Sequence, residues 1–344
     1  MTQPIPTTSL QHQGKTALVL GASGSIGGAI AEALAGRGWQ VRGLARDPAT
    51  AQAAWKGPAD AVQWLAGDAM QARDVLAAAQ GVQAIVHAVS PPGYRDWDKL
   101  VLPMADNTIA AARATGARIV LPGTIYNFDP AATPVIREDS PQRPSTRKGR
   151  IRVELEQRLE SASRDVPVLI VRAGDYYGPR VRSSWFAQAM VTPGQAVTRL
   201  KNLAPGTGHG WAYLPDLAEA MARLMEHPGL RDFERVGFEG LWDADGRALP
   251  ALVAQALGRA PLPETAFPWW LMRLAAPFGG FPREAVDILP YWRHPTRIDN
   301  RRLVELLGAE PRTAPVQAMR TTLQGLGCLP APGAGAGKGL AAHA

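Results

Sequence analysis

Three glycines spaced three apart, Gly21, Gly24 and Gly27, stand in the loop GASGSIG (21–27), directly after the apolar run TALVLG (16–21). A helical pattern opens in the same loop, with Ile26, Ile30 and Leu34 at i, i+4 and i+8, and Gly36 and Gly38 stop it. Strand, glycine turn and helix in that order suit one task, holding a diphosphate. Gly21 permits the tight turn off the strand. Gly24 lets the backbone approach a pyrophosphate with no Cβ in the way, and Gly27 allows the helix to pack closely. The helix N-terminus then offers N–H groups and a partial positive charge. Glycine spacing alone is weak; the order of the elements makes the reading dinucleotide binding. Gly14, Lys15 and Thr16 do not compete as a triphosphate loop, because Ser9 stands where the upstream glycine belongs and the strand follows the motif.

A second group lies in EDSPQRPSTRKGRIRVELE (138–156). Helical spacing puts Lys148, Arg152 and Glu156 on one face, opposite Ile151, Leu155 and Leu159. Such a face is either a solvated charged surface or a line of groups aimed at a ligand. No Cys/His or carboxylate cluster has metal-ligand spacing, so no metal is expected. The single cysteine, Cys328, forms no intrachain disulfide.

These groups must be positioned by strands and helices, and the two alternate. After the first strand and helix come strand 40–46, strand 61–68, a helix around 70–79 and strand 84–90. Helix 96–115, strand 117–123, helix 148–163 and strand 165–174 follow. Short connections between alternating elements mean a parallel sheet with right-handed crossovers. The fold class is α/β, a Rossmann-like doubly wound parallel sheet with a smaller C-terminal substrate lobe. Six of the ten tryptophans (185, 211, 242, 269, 270 and 292) lie after residue 175, along with many prolines. They suggest a lobe over the C-terminal edge of the sheet, with rings suited to stacking on sugars or flat apolar ligands. The organisation is then a tail at 1–14, a dinucleotide-binding domain at 15–174, and a mainly substrate-binding lobe at 175–329 that returns some elements to the sheet. Residues 330–344 form a second tail; both tails bury too little apolar surface to order.

The 344 residues are 46% hydrophobic and 19% charged, with a formal charge of +7. The basic residues are scattered, the one block being 143–152, and no nucleic-acid reader motif accompanies them. No run is apolar enough to span a bilayer. MTQPIPTTSLQHQG lacks the basic and apolar regions of a secretory signal, so a cytoplasmic protein is expected, with neither nucleic acid nor membrane as partner.

The glycine pattern resembles the extended short-chain dehydrogenase/reductase superfamily, the group of nucleotide-sugar epimerases, dehydratases and related reductases. Four further segments carry the likeness: GDAM (67–70), IVHAVSPP (85–92), RAGDYYGPR (172–180) and WAYLPDLAEA (211–220). The resemblance implies a nicotinamide cofactor held by Gly21, Ser23, Gly24, Ser25 and Ile26. It places Asp68 and Ala69 at the adenine and Ala88 and Val89 along the cofactor. It also implies a small-molecule substrate and leaves open a homodimer through helices on the sheet's flank. Relatives that prefer NAD end strand two with an acidic residue; here Ala45 stands there, followed by Arg46. A guanidinium holds a 2′-phosphate that a carboxylate repels, so NADP is expected from Arg46, with Arg42 as an aid and NAD as the alternative. Asp47, one residue late for the acidic role, argues the other way.

The resemblance also implies a Ser/Thr after strand five and a Tyr-x-x-x-Lys on the next helix, the Tyr acting as acid/base. Tyr94, Tyr126, Tyr176, Tyr177, Tyr213 and Tyr291 all lack a lysine at that spacing. Aligned on the helix, Lys148 stands in the Tyr position and Arg152 in the Lys position. Arg152 can hold a ribose or phosphate. Lys148 can donate a proton only if desolvation and Arg152 lower its pKa. Thr124 takes the Ser/Thr place when IVLPGT (119–124) is read forwards; read back from Tyr126, Pro122 takes it. His87 reads as a packing residue, and Asp175 and Tyr176 as alternative polar groups near the nicotinamide end. Two functions follow: an NADP-dependent oxidoreductase or epimerase with a substituted catalytic pair, or a catalytically silent NADP-binding sensor.

Overall fold

The structure is a computed structural model that describes residues 14–91 and 97–329. The expected tails lie outside the described residues, apart from Gly14.

The first half runs β1 (Thr16–Leu20), α1 (Ser25–Gly36), β2 (Gln40–Ala45), α2 (Pro48–Ala54), β3 (Gln63–Ala66), α3 (Ala72–Ala78), β4 (Ala84–His87), α4 (Trp97–Thr115) and β5 (Arg118–Gly123), and all but α2 follow the expected order. Then come β6 (Val135–Ile136), α5 (Arg147–Ala162), β7 (Val168–Ala173), β8 (Asp175–Tyr177), β9 (Leu200–Asn202), β10 (His209–Tyr213) and α6 (Leu214–Glu226). The chain ends with β11 (Phe233–Phe238), β12 (Leu241–Asp243), α7 (Ala248–Leu257), β13 (Glu264–Ala266), α8 (Trp269–Ala275), α9 (Gly280–Asp287), β14 (Arg297–Ile298), α10 (Arg301–Leu307) and α11 (Pro315–Gly325).

Seven strands form one parallel sheet in the order β3-β2-β1-β4-β5-β7-β11. β1 and β7 are buried along their whole length, which is why both read as unbroken apolar runs. Successive side chains serve opposite layers. Leu18 and Leu20 of β1 pack with α3, α4 and α5, while Ala17 and Val19 pack with α1, α6 and α10. Strand order reverses between β1 and β4, which opens a crevice at their C-terminal ends.

The later residues build a lobe around a separate core, with the small sheet β12-β10-β8 at its centre. It returns β11 to the main sheet, in register with β7. The tryptophans differ from expectation here. Trp185, Trp211 and Trp292 are buried and pack on one another, with Trp292 centroids 5.6 Å from Trp185 and 5.9 Å from Trp211. They are this lobe's core, because a lobe with short strands and little regular pattern needs large rings to fill it. α2 was also unexpected. Its Ala-rich sequence has no apolar stripe, and it is set by Asp47 at its N-cap and Pro48 in its first turn.

Candidate functional site

The three loop glycines have different reasons to be glycine. Gly21 has φ +87°, and a Cβ there would lie 2.6 Å from the Ala88 carbonyl oxygen. A Cβ on Gly27 would run into the Gly21 carbonyl. Both are demanded by the fold. Gly24 is different: its backbone is extended (φ −86°, ψ 170°), and a Cβ would meet only the Gly21 carbonyl, at 3.2 Å. That contact is tight but milder than those at Gly21 and Gly27, and a ligand lying on the loop would add to the demand for glycine. Gly24 is also the N-cap of α1, and no side chain caps that helix. By contrast Asp47 caps α2 and Thr146 caps α5. The first turn of α1, with Ser25 and Ile26, therefore presents its N–H groups with no side chain over them. Ser23 and Gly24 are exposed, and the half-buried Ala88 and Val89 continue β4 across the crevice. The cradle suits a diphosphate.

At the end of β2, Arg46 is exposed. Beside it Asp47 serves as the cap of α2: its carboxylate accepts from the Thr50 N–H at 3.0 Å and the Thr50 hydroxyl at 2.6 Å, contacts that hold it below the usual carboxylate range. Arg42 corrects the expectation made for it. Its guanidinium donates to the carbonyls of Ala78 (3.2 Å) and Gln80 (2.6 Å), because its side chain leaves the strand toward the end of α3. Beyond β3, Asp68 accepts from the Met70 N–H at 3.0 Å, and Asn107 on α4 holds the Ala69 carbonyl at 2.9 Å. Sequence reading missed Asn107, which stands in the polar run Asp106-Asn107-Thr108 of a long helix with nothing to single it out.

The charged face of α5 is not solvated. Lys148 and Glu156 are buried. Lys148 Nζ sits 2.7 Å from a Glu284 carboxylate oxygen and donates to the Glu284 carbonyl at 3.0 Å. Burial pulls the lysine below its ordinary pKa, and neighbouring Arg147 adds to this, while Glu284 and Asp287 oppose it. One turn along α5, Arg152 places its guanidinium over the Trp97 ring, 4.9 Å from the centroid. Its charge is felt by His87 and Tyr176.

His87 ends β4, buried, with Nδ1 2.8 Å from the Thr108 hydroxyl. That hydroxyl donates to the Met104 carbonyl, so the imidazole donates to it through Nδ1. Burial, helped by Arg152, pushes its pKa down to about 4. His87 is therefore a packing residue, as its place at a strand end suggested. Tyr176 is pushed up to about 12 by burial and by Asp175, with Arg152 opposing. Asp175 accepts from His209 at 2.9 Å, and His209 lies flat on Trp292 at 4.1 Å.

Thr124 is the first residue past β5, at the same edge, and its hydroxyl accepts from the Tyr126 N–H at 3.4 Å. Pro122 lies inside the strand, opposite Val171, and Thr124 follows its end. The Tyr291 hydroxyl is 2.9 Å from the carbonyls of both Tyr126 and Phe128 and ties this loop to the second lobe. Beneath it Glu156 pairs with buried Arg172 at 2.5 Å and accepts from Gln142 at 2.7 Å. No local pattern announced Glu284 or His209. Each meets its partner across a long stretch of chain.

Thr124, Lys148 and Arg152 thus come from β5 and α5, while the cofactor candidates line the ends of β1 to β4. Among the described residues no three His, Cys, Asp or Glu side chains gather as a metal would require. No described helix is long and apolar enough to cross a membrane.

A sequence model of the NAD dependent epimerase/dehydratase family matches residues 17–234. A 3-diazoavenalumate denitrifying reductase from a Streptomyces species is 30% identical over 178 residues, which cover 47% of this chain and 56% of that one. The chain thus matches just over half of that relative's length. Among solved structures, UDP-glucose 4-epimerase from Bifidobacterium longum, in complex with NAD+ and UDP, superposes with a TM-score of 0.66 at 12% identity, covering 90% of this chain and 97% of that one. The Bordetella bronchiseptica enzyme WbmH, in complex with NAD+, gives 0.64 at 18% identity, with coverages of 90% and 97%. At these identities the likeness concerns the fold.

Proposed function

The chain belongs to the NAD dependent epimerase/dehydratase family, and on that premise we propose that it is an NADP-dependent oxidoreductase or epimerase acting on a small carbonyl, hydroxyl or sugar-type substrate. The observation that carries the reading is Gly24, a glycine on which the fold makes a weaker demand than on Gly21 or Gly27, at the N-terminus of α1, which no side chain caps. The NAD+ complexes of the two solved structures support the nicotinamide cofactor in this reading, and the reductase name of the Streptomyces relative supports the redox chemistry.

The residues divide the work by position. Gly21, Ser23, Gly24, Ser25 and Ile26 hold the pyrophosphate, Asp68 and Ala69 flank the adenine, and Ala88 and Val89 line the crevice. Arg46 holds the 2′-phosphate, while the Asp47 carboxylate is engaged by Thr50 as the cap of α2. Arg152 sets a fixed positive charge at the nicotinamide end, between His87 and Tyr176. A bound nicotinamide supplies or accepts a hydride; the protein supplies position and a proton. Lys148, with its pKa lowered by burial, is the proton donor, and Thr124 orients the reacting oxygen.

The ion pair between Lys148 and Glu284 favours a second reading, in which Lys148 is a clasp between α5 and α9 and the chain is a silent NADP-binding sensor. NADPH oxidation against a panel of carbonyl compounds and nucleotide sugars separates them. Turnover by the parent and none by Lys148→Met supports the enzyme. Absence of turnover across the panel, with NADPH bound, supports the sensor.

A further inference from the structure

From Thr265 to Arg283 the chain carries two arginines and no acidic residue. The segment folds as α8, a short turn and α9, which pack chiefly on one another. The inner side of α8 is tethered: Trp269 and Met272 lie against the lobe's core, and Trp269 Nε1 donates to the Leu203 carbonyl at 3.1 Å. The outer side is apolar as well. Phe278 is 92% exposed, Trp270 67% and Leu274 66%, with Leu271 and Phe281 also exposed beside them. A helix that is apolar all round is normally buried, and scattered single apolar residues do not account for five large ones on a single hairpin.

We propose that this hairpin docks on the surface of an anionic lipid bilayer, with Trp270, Leu274 and Phe278 entering the headgroup boundary. Charge complementarity selects this occupant. The exposed charges of the hairpin are Arg273 and Arg283, both positive, on a chain of net charge +7. Trp, Phe and Leu on the entering face with Arg beside them is the composition of an interfacial segment that lies on a membrane without spanning it. α9 is also the element that holds Lys148 through Glu284, so the docking surface lies next to the proposed site. Membrane contact at the hairpin and cofactor binding at the glycine loop are separate properties, and either can fail alone.

The test is co-sedimentation of the full chain with vesicles of phosphatidylcholine, with and without phosphatidylglycerol. The parent is expected to partition onto the anionic vesicles, with a blue shift of tryptophan emission that Trp270→Phe reduces. Leu274→Ser with Phe278→Ser should lower partitioning about tenfold or more. Arg273→Gln should lower it about fivefold on anionic vesicles only. These side chains are exposed, so the melting temperature should not change. A parent that stays in the supernatant, or a double variant that binds as well as the parent, overturns the proposal. So does a parent dimer that the double variant makes monomeric, since a second copy of the chain would then cover the patch.

Discussion

The Lys148 ammonium lies 2.7 Å from the Glu284 carboxylate, so the residue proposed as the proton donor on α5 is held by a group on α9. The pair sets two opposing pressures on the lysine. Burial favours its neutral form, and the carboxylate favours its charge. A general acid must be charged before it acts, so activity supported by Lys148 falls as pH rises through its pKa. Glu284→Gln removes the opposing carboxylate and should move that fall to lower pH by about 1–3 units. A clasp without chemistry would lower the melting temperature in the same variant and leave the pH profile in place.

Lys148→Met should abolish turnover while NADPH affinity stays within a few-fold, since binding and proton transfer use different residues. It also leaves Glu284 without its buried partner. The loss of stability should be about 3 kcal/mol at most, because Arg147 remains 3.4 Å from the other carboxylate oxygen. Chemical denaturation of parent and variant gives that number separately from the kinetics. A Lys148→Met variant that stays folded and fully active would move the proton donor elsewhere.

Cofactor choice rests on Arg46. Removing a charge-assisted phosphate contact costs about 1.5–3 kcal/mol, which is about one to two decades in affinity. Arg46→Ala should weaken NADP binding by that much and leave NAD binding nearly unchanged, as read by calorimetry. Equal loss for both would make Arg46 a structural residue.

His87 predicts an acid limit to stability. Its ordinary pKa is 6.5, and in the folded chain it is about 4. Between those values the unfolded chain takes up a proton that the folded chain refuses. Stability therefore falls as pH drops from about 6.5 to about 4 and levels off below. The span corresponds to on the order of 3 kcal/mol. Urea titrations at a series of pH values should show this slope in the parent and a shallower one in His87→Leu. The same slope in both would place the acid sensitivity in other groups.

How much of this was legible in the sequence follows from how local each signal is. β1, the glycine turn and α1 are set by neighbours in the chain, so their order could be read directly. Gly24 and Arg46 could be named for the same reason. The face of α5 could be drawn from helical spacing, but whether water covers it could not. Lys148 meets Glu284, and Glu156 meets Arg172, only because the lobe folds back over α5. The short strands β8, β10 and β12 carry no usable period, and their pairing brings His209 to Asp175. The tryptophans were recognised as a feature of the lobe, but composition does not distinguish a core from a stacking platform.

The most direct measurement is calorimetric titration of NADPH and NADH into the parent and Gly24→Val, with melting temperatures recorded for both. Gly24 has an extended backbone that a branched residue can adopt, and a Cβ there needs the Gly21 carbonyl to give slightly, so the variant should fold with a melting temperature somewhat below the parent's. The account predicts that the parent binds NADPH about one to two decades more tightly than NADH, and that Gly24→Val binds neither. A parent that binds no dinucleotide, or a folded Gly24→Val that binds NADPH as well as the parent does, would contradict it.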